Sequence, residues 1–203
     1  GRVWYALRYW GAPADHLALL NGGAKTVLGS AYKSNNVANL SGHYDGANND
    51  APAPPGQSDP ATAAKNLPEA NMALMASYGD LLGMVAKGED VPSGGLFIWD
   101  ARSAEEYYGL TNQGRGYAFE GHVRTAKNRP YAELLVADEG YRYLDKDALQ
   151  AKLDGMGYED GETVVTYCVT TYRAMITGIA TGVILGKPTR FYDGAWMQWG
   201  MMG

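Results

Sequence analysis

GETVVTYCVTTYRAMITGIATGVILGKP, Gly161 to Pro188, reads as a strand, a tight loop and a helix. Thr163 to Tyr167 is β-branched and aromatic and follows a glycine, which suits a buried strand. Apolar residues then recur at Ile176, Ile179, Ala180, Val183 and Ile184, the spacing of one helix face. Gly186 and Pro188 close that helix, a glycine just past its end and a proline beyond. Between strand and helix stands Cys168, the single cysteine of the chain, with four residues separating it from Arg173. A loop that turns from strand into helix gathers backbone N–H groups into a concave nest, and the helix start adds partial positive charge. A thiol placed there ionises more readily, and the thiolate is the nucleophile. The competing reading is an inert core cysteine, because free cysteines are commonly buried.

Three more distinctive stretches surround this centre. FIWDARSAEEYYG, Phe97 to Gly109, opens on an apolar strand and carries Asp100, Arg102, Glu106 and Tyr107. GHVRTAKN, Gly121 to Asn128, carries Gly121, His122, Ala126 and Asn128, and DGAWMQW, Asp193 to Trp199, follows the helix. Taken in order, the four stretches resemble the signature elements of rhodanese-type sulfurtransferases. Those elements are a first strand with Asp-x-Arg-x-x-x-Glu-aromatic, a Gly-His-Ile-x-Gly-Ala-x-Asn segment, the Cys-to-Arg active-site loop and a closing Gly-Gly-x-x-x-Trp. The resemblance covers Leu96 to Trp199.

That resemblance implies transfer of a sulfane sulfur through a persulfide on Cys168. The donor would be a small anion such as thiosulfate, and the acceptor a thiol, or cyanide in an assay. Val169, Thr170, Thr171, Tyr172 and Arg173 would form the active-site loop, their amides stabilising thiolate and persulfide. The Arg173 guanidinium would bind the donor or pin the loop through its carbonyls. Arg102 would be structural, paired with either Asp100 or Glu106. Arg124 and Arg129 are candidate donor contacts, or else solvated surface arginines. Asp100 ends a strand on the edge where open α/β sheets place their sites; it either tunes the thiol or caps the next helix. His122 is expected as a buried hydrogen-bonding residue and not as a base. No metal and no organic cofactor is implied.

The loop also departs from the family. Bacterial single-unit members commonly carry glycine where this chain has Thr171, and a β-branched residue resists positive φ, so a differently shaped loop is expected. Val169-Thr170 matches neither the basic residues of thiosulfate-specialised members nor the Gly-Ser of mercaptopyruvate-specialised ones. Glu106 stands where the large tandem enzymes have a donor-contacting arginine. Donor identity therefore stays open, with polysulfide or a protein persulfide among the candidates. Cysteine phosphatases and arsenate reductases share the strand-loop-helix but hold five residues between Cys and Arg, against four here. A non-catalytic persulfide carrier is the other alternative.

Composition narrows the partners. The 203 residues are 46% hydrophobic and 19% charged, ordinary for a globular chain. A net charge of −5 with no basic run argues against nucleic acid. No apolar stretch approaches the ~18 residues of a membrane span. One cysteine excludes an internal disulfide and any multi-cysteine metal site, and leaves the compartment, cytoplasmic or periplasmic, undetermined.

Strands alternating with helices imply an α/β fold with a parallel sheet covered on both faces. Residues 71–203 are expected to be one complete catalytic domain, opened by an extended segment at Asn71 to Met75 and a short helix at Tyr78 to Val85. Residues 46–70, rich in Ala, Pro, Asn and Asp, read as a linker. Asp45, Asn48, Asn49 and Asp50 lack the spacing of a calcium loop and read as turn formers. Arg2 to Gly11 spans the same nine steps as Arg173 to Gly182, and Leu17 to Leu20, a strand candidate, ends at Asn21-Gly22 as Thr189 to Tyr192 ends at Asp193-Gly194. This suggests an internal repeat, with residues 1–45 the tail of a preceding rhodanese-like unit. An N-terminal segment docked on residues 1–45 is the corresponding expectation, since a lone helix and strand cannot bury both faces of a sheet.

Overall fold

In the computed structural model, which describes residues 1–23, 70–86 and 95–202, the chain opens with helix α1, Arg2–Tyr9, and a 3-10 turn at Ala14–His16. A second 3-10 turn, Met72–Leu74, leads into β1, Met75–Ala76, and α2, Tyr78–Ala86. Then come β2, Leu96–Asp100, and α3, Ala104–Tyr107. Short pieces follow: β3, Lys127–Asn128, a 3-10 turn at Tyr131–Leu134, β4, Leu135–Val136, and β5, Arg142–Tyr143. The chain continues through α4, Lys146–Asp154, β6, Thr163–Tyr167, α5, Ala174–Ile179, β7, Thr189–Tyr192, and α6, Ala195–Met202. The residues 46–69 of the expected linker, the four turn formers at 45–50 and the stretch 24–45 lie outside the described residues.

Five strands form one parallel sheet in the order β1-β7-β6-β2-β3. β2 and β6 are its centre, paired residue for residue from Leu96 with Thr163 to Asp100 with Tyr167. Both strands are near-continuous apolar runs because both faces are covered. The two-residue alternation divides the core. Phe97, Trp99 and Val164 point to the face packed by Leu149 and Leu153 of α4 and by Ala174 of α5. Ile98, Val165 and Tyr167 point to the other, with Leu81 and Val85 of α2 and Trp196 and Trp199 of α6. The α/β class, with helices on both faces of a parallel sheet, is as the sequence implies. None of the described helices is long and apolar enough to cross a membrane.

Local chemistry sets the helix starts. Ser103 and Glu106 close a reciprocal capping box on α3, and the Asp145 carboxylate accepts from the Ala148 amide at 2.8 Å on α4. Helix α5 does not run on as α-helix: Ala180–Ile184 is a π turn, and Gly186, at φ +69, ends it. Buried hydroxyls fix α5 to the sheet, Thr177 Oγ1 lying 2.5 Å from Thr166 Oγ1.

Two expectations are corrected here. Leu17 to Leu20 is not a strand, because no sheet edge among the described residues offers it ladder partners. Asn71 to Met75 is mostly a 3-10 turn, and only Met75–Ala76 joins the sheet, beside Phe191 and Tyr192.

Candidate active site

Strand alternation carries Cys168 onto the α4–α5 face, in step with Val164 and Thr166, one residue past the end of β6. Its side chain is fully buried, in the same cluster as Trp99, Ala101 and Ala174. On its apolar side, this is the environment of a core cysteine. The loop on its other side has a different character.

Every carbonyl from Cys168 to Thr171 accepts a hydrogen bond. Trp196 N–H donates to Cys168 O at 2.8 Å, Met197 N–H to Val169 O at 3.1 Å, Arg2 Nη1 to Thr170 O at 2.8 Å and Met175 N–H to Thr171 O at 3.0 Å. The amides of Val169 to Arg173, in contrast, donate to no protein group among the described residues. Five unpaired donors in one turn, followed by a helix start, form a ready acceptor site for negative charge. The turn needs a left-handed residue at its fourth position, and Thr171 takes φ +68. The differently shaped loop expected from that β-branched residue is therefore not found. The strain is offset by Thr171 Oγ1, which donates to Asp193 O at 3.1 Å, and by full burial.

Arg173 is occupied by neither loop carbonyls nor solvent alone. Its Nη1 and Nη2 donate to Glu106 Oε2 and Oε1 at 2.6 and 2.8 Å. Burial works against the guanidinium's charge, but Glu106 first and Cys168 after it raise its pKa. Burial likewise opposes ionisation of Glu106, and the Arg173 hydrogen bonds and the Ser103 amide outweigh it, holding the carboxyl below its usual 4.5. Sequence reasoning missed this pair: it considered Glu106 only as a partner of Arg102, and the two residues stand 67 positions apart.

Asp100 does not cap α3, whose N-cap is Ser103. It is fully buried and clasped by Arg102, whose Nε and Nη2 reach it at 3.0 and 2.6 Å, and by the Tyr167 hydroxyl at 2.6 Å. Arg102 also donates to Gly121 O at 2.7 Å and lies 4.2 Å from the Trp196 ring centroid, and of its two expected partners it meets Asp100. Burial pushes the Tyr167 phenol well up, and the Asp100 carboxylate adds to the shift.

His122 is exposed, not buried. It stacks on Tyr107 with centroids 3.7 Å apart, and Nδ1 meets Tyr107 O at 3.0 Å. A carbonyl only accepts, so Nδ1 carries the proton. Burial is unnecessary because one flat partner and one carbonyl suffice to hold the ring. Arg124 is exposed, and Arg129 is paired with Glu133 at 2.6 Å. A cavity of ≈ 380 Å³ opens elsewhere, between α1 and the α5–β7 layer, lined by Trp4, Arg8, Leu74, Gly178 and Phe191. It includes no residue of the cysteine loop.

Comparison with known proteins agrees with the fold. Residues 77–202 match the rhodanese-like domain. The chain is 30% identical over 122 residues to the thiosulfate sulfurtransferase of Corynebacterium glutamicum, covering 57% of this chain and 39% of that protein. It is 28% identical over 103 residues to the 3-mercaptopyruvate sulfurtransferase of Escherichia coli strain K12, covering 51% of this chain and 36% of that protein. The chain thus spans well under half the length of these relatives. Among solved structures, Tum1 from Saccharomyces cerevisiae superposes with a TM-score of 0.55 at 23% identity, covering 64% of this chain and 45% of that one.

Proposed function

The chain belongs to the rhodanese-like domain family, and from that membership we propose that it moves sulfane sulfur through a persulfide on Cys168. The observation that carries this reading is the loop's asymmetry: carbonyls of Cys168 to Thr171 engaged, amides of Val169 to Arg173 without a partner among the described residues, beside the only cysteine in the chain.

In the first half-reaction the Cys168 thiolate attacks the outer sulfur of a donor such as thiosulfate. A new S–S bond forms, the donor's S–S bond breaks, and its electron pair leaves with sulfite. In the second, an acceptor thiolate or cyanide takes the outer sulfur, and the electron pair returns to Cys168. Charge is conserved in both steps, and no metal or redox partner is called for. The free amides meet the thiolate and the persulfide anion alike, which is how preorganised donors lower such barriers. Because the sulfur is fully buried, the loop must shift outward for a donor to reach it; Tyr172, 69% exposed, marks its outer side.

Residues 1–45 are read as the tail of a preceding rhodanese-like unit, with an N-terminal segment as its partner. The support is the matched nine-step spacing of Arg2 to Gly11 and of Arg173 to Gly182.

Mass analysis after exposure to thiosulfate tests the main proposal. One added sulfur on the loop peptide, discharged by cyanide as thiocyanate, is the expected result. No added sulfur from thiosulfate, polysulfide or mercaptopyruvate would overturn it.

A further inference from the structure

We infer that Arg2, on a helix outside the span matched by the family, is the cation that faces an anionic sulfur donor at the mouth of the Cys168 loop. This rests on the sulfur-transfer reading above and names the residue that sets its donor preference.

Arg173 is already engaged within the protein. Both of its terminal nitrogens are spent on Glu106, a carboxylate only 4% exposed. An incoming dianion would have to displace a two-pronged carboxylate partner from a site it already fits. The loop's own arginine is therefore close to neutralised towards outside ligands. Arg2 has the opposite balance. Its Nη1 is anchored on Thr170 O at 2.8 Å, and the guanidinium lies 4.8 Å from the Tyr172 ring centroid. Among the described residues its one ionic contact is a long one, 3.8 Å to Asp193, with both side chains 41% exposed. A guanidinium has five N–H donors, so several remain for a ligand.

The helix that carries it is firmly seated. A Cβ on Gly1 would lie 2.7 Å from Met175 Cβ, so α1 starts directly against α5, and Tyr5 packs edge-on to Phe191 at 4.9 Å. No acidic residue occupies its first turn. Arg2 is thus a rigidly presented, incompletely paired cation touching the second residue after Cys168. Its charge favours anionic donors over neutral ones, while Glu106 cancels the charge of Arg173.

Alkylation of Cys168 by iodoacetate and by iodoacetamide, reagents of similar size but different charge, reads this directly. The ratio of the two rate constants at one fixed pH should fall about fivefold in Arg2→Gln, as expected for loss of one nearby solvent-screened charge. Arg2→Lys should keep most of the ratio. Arg2→Met, which preserves the apolar stem, replaces Arg2→Gln if that variant does not fold. An unchanged ratio in the charge-removing variant, or an equal fall in both rates, overturns the proposal. Failure of both reagents to label the native protein, with labelling restored in urea, would instead sink the sulfur-transfer reading, and the role of Arg2 with it.

Discussion

Glu106 and Arg173, 67 positions apart in the chain, are joined by two charge-assisted hydrogen bonds of 2.6 and 2.8 Å. The bond ties the first turn of α3 to the last residue of the cysteine loop. It also gives that loop a pH-dependent anchor. The folded-state pKa of Glu106 is depressed below 4.5, so its contribution is present above that value and is lost as pH falls through the folded one. Glu106→Gln should cost about 2 kcal/mol at neutral pH, between the values of exposed and fully buried pairs. Urea unfolding at neutral pH and well below pH 4.5 checks it: the gap between the two proteins should narrow on acidification.

A larger loss is expected at Asp100. Asp100→Asn leaves Arg102, 2% exposed, without a counter-charge. Removing one partner of a buried pair typically costs ~3–5 kcal/mol. Chemical denaturation should show that drop, and a near-neutral result would contradict the packing described.

Thr171 holds φ +68, so its substitutions separate strain from bonding. Thr171→Val keeps the strain and loses the bond to Asp193 O, and should destabilise by ~1 kcal/mol. Thr171→Gly loses the same bond but relieves about 1 kcal/mol of backbone strain, and should unfold close to wild type. Thermal melts of the two variants, side by side, give the comparison.

Gly178 faces the sheet without space to spare. A Cβ there would sit 2.1 Å from Phe191 Cε1. Gly178→Ala should therefore destabilise by ~1–3 kcal/mol, and a ring displacement should appear as a changed near-ultraviolet circular dichroism spectrum.

Cys168→Ser should abolish persulfide formation entirely. Because the site is fully buried in a largely apolar cluster, the hydroxyl should also cost ~1–2 kcal/mol, leaving the fold intact. Retained sulfur transfer in this variant would remove the mechanism, as the chain holds no second thiol.

The strand-loop-helix around Cys168 was legible because each of its signals is local: β-branched residues for β6, helical spacing for α5, Gly186 at its end. The same holds for α2. What the sequence could not show were contacts made across the fold. Asp100 looked like a site residue because it ends a strand at the right edge, yet Tyr167, 67 positions away, and Arg102 enclose it. His122 looked buried by family analogy, but it stacks on the half-buried Tyr107 ring and stays exposed itself. Leu17 to Leu20 had a strand's composition, which cannot by itself supply a neighbouring strand. The clamp of Arg2 on Thr170 joins positions 168 apart and has no local signature at all.

Trp196 and Met197 hold the carbonyls of Cys168 and Val169 from nearly thirty residues downstream. For a polypeptide emerging from the ribosome, this imposes an order of events. The cysteine and its helix are synthesised first, but the peptide planes around the sulfur lack their stops until the start of α6 has left the exit tunnel. A nascent chain carries the thiol before it carries the geometry.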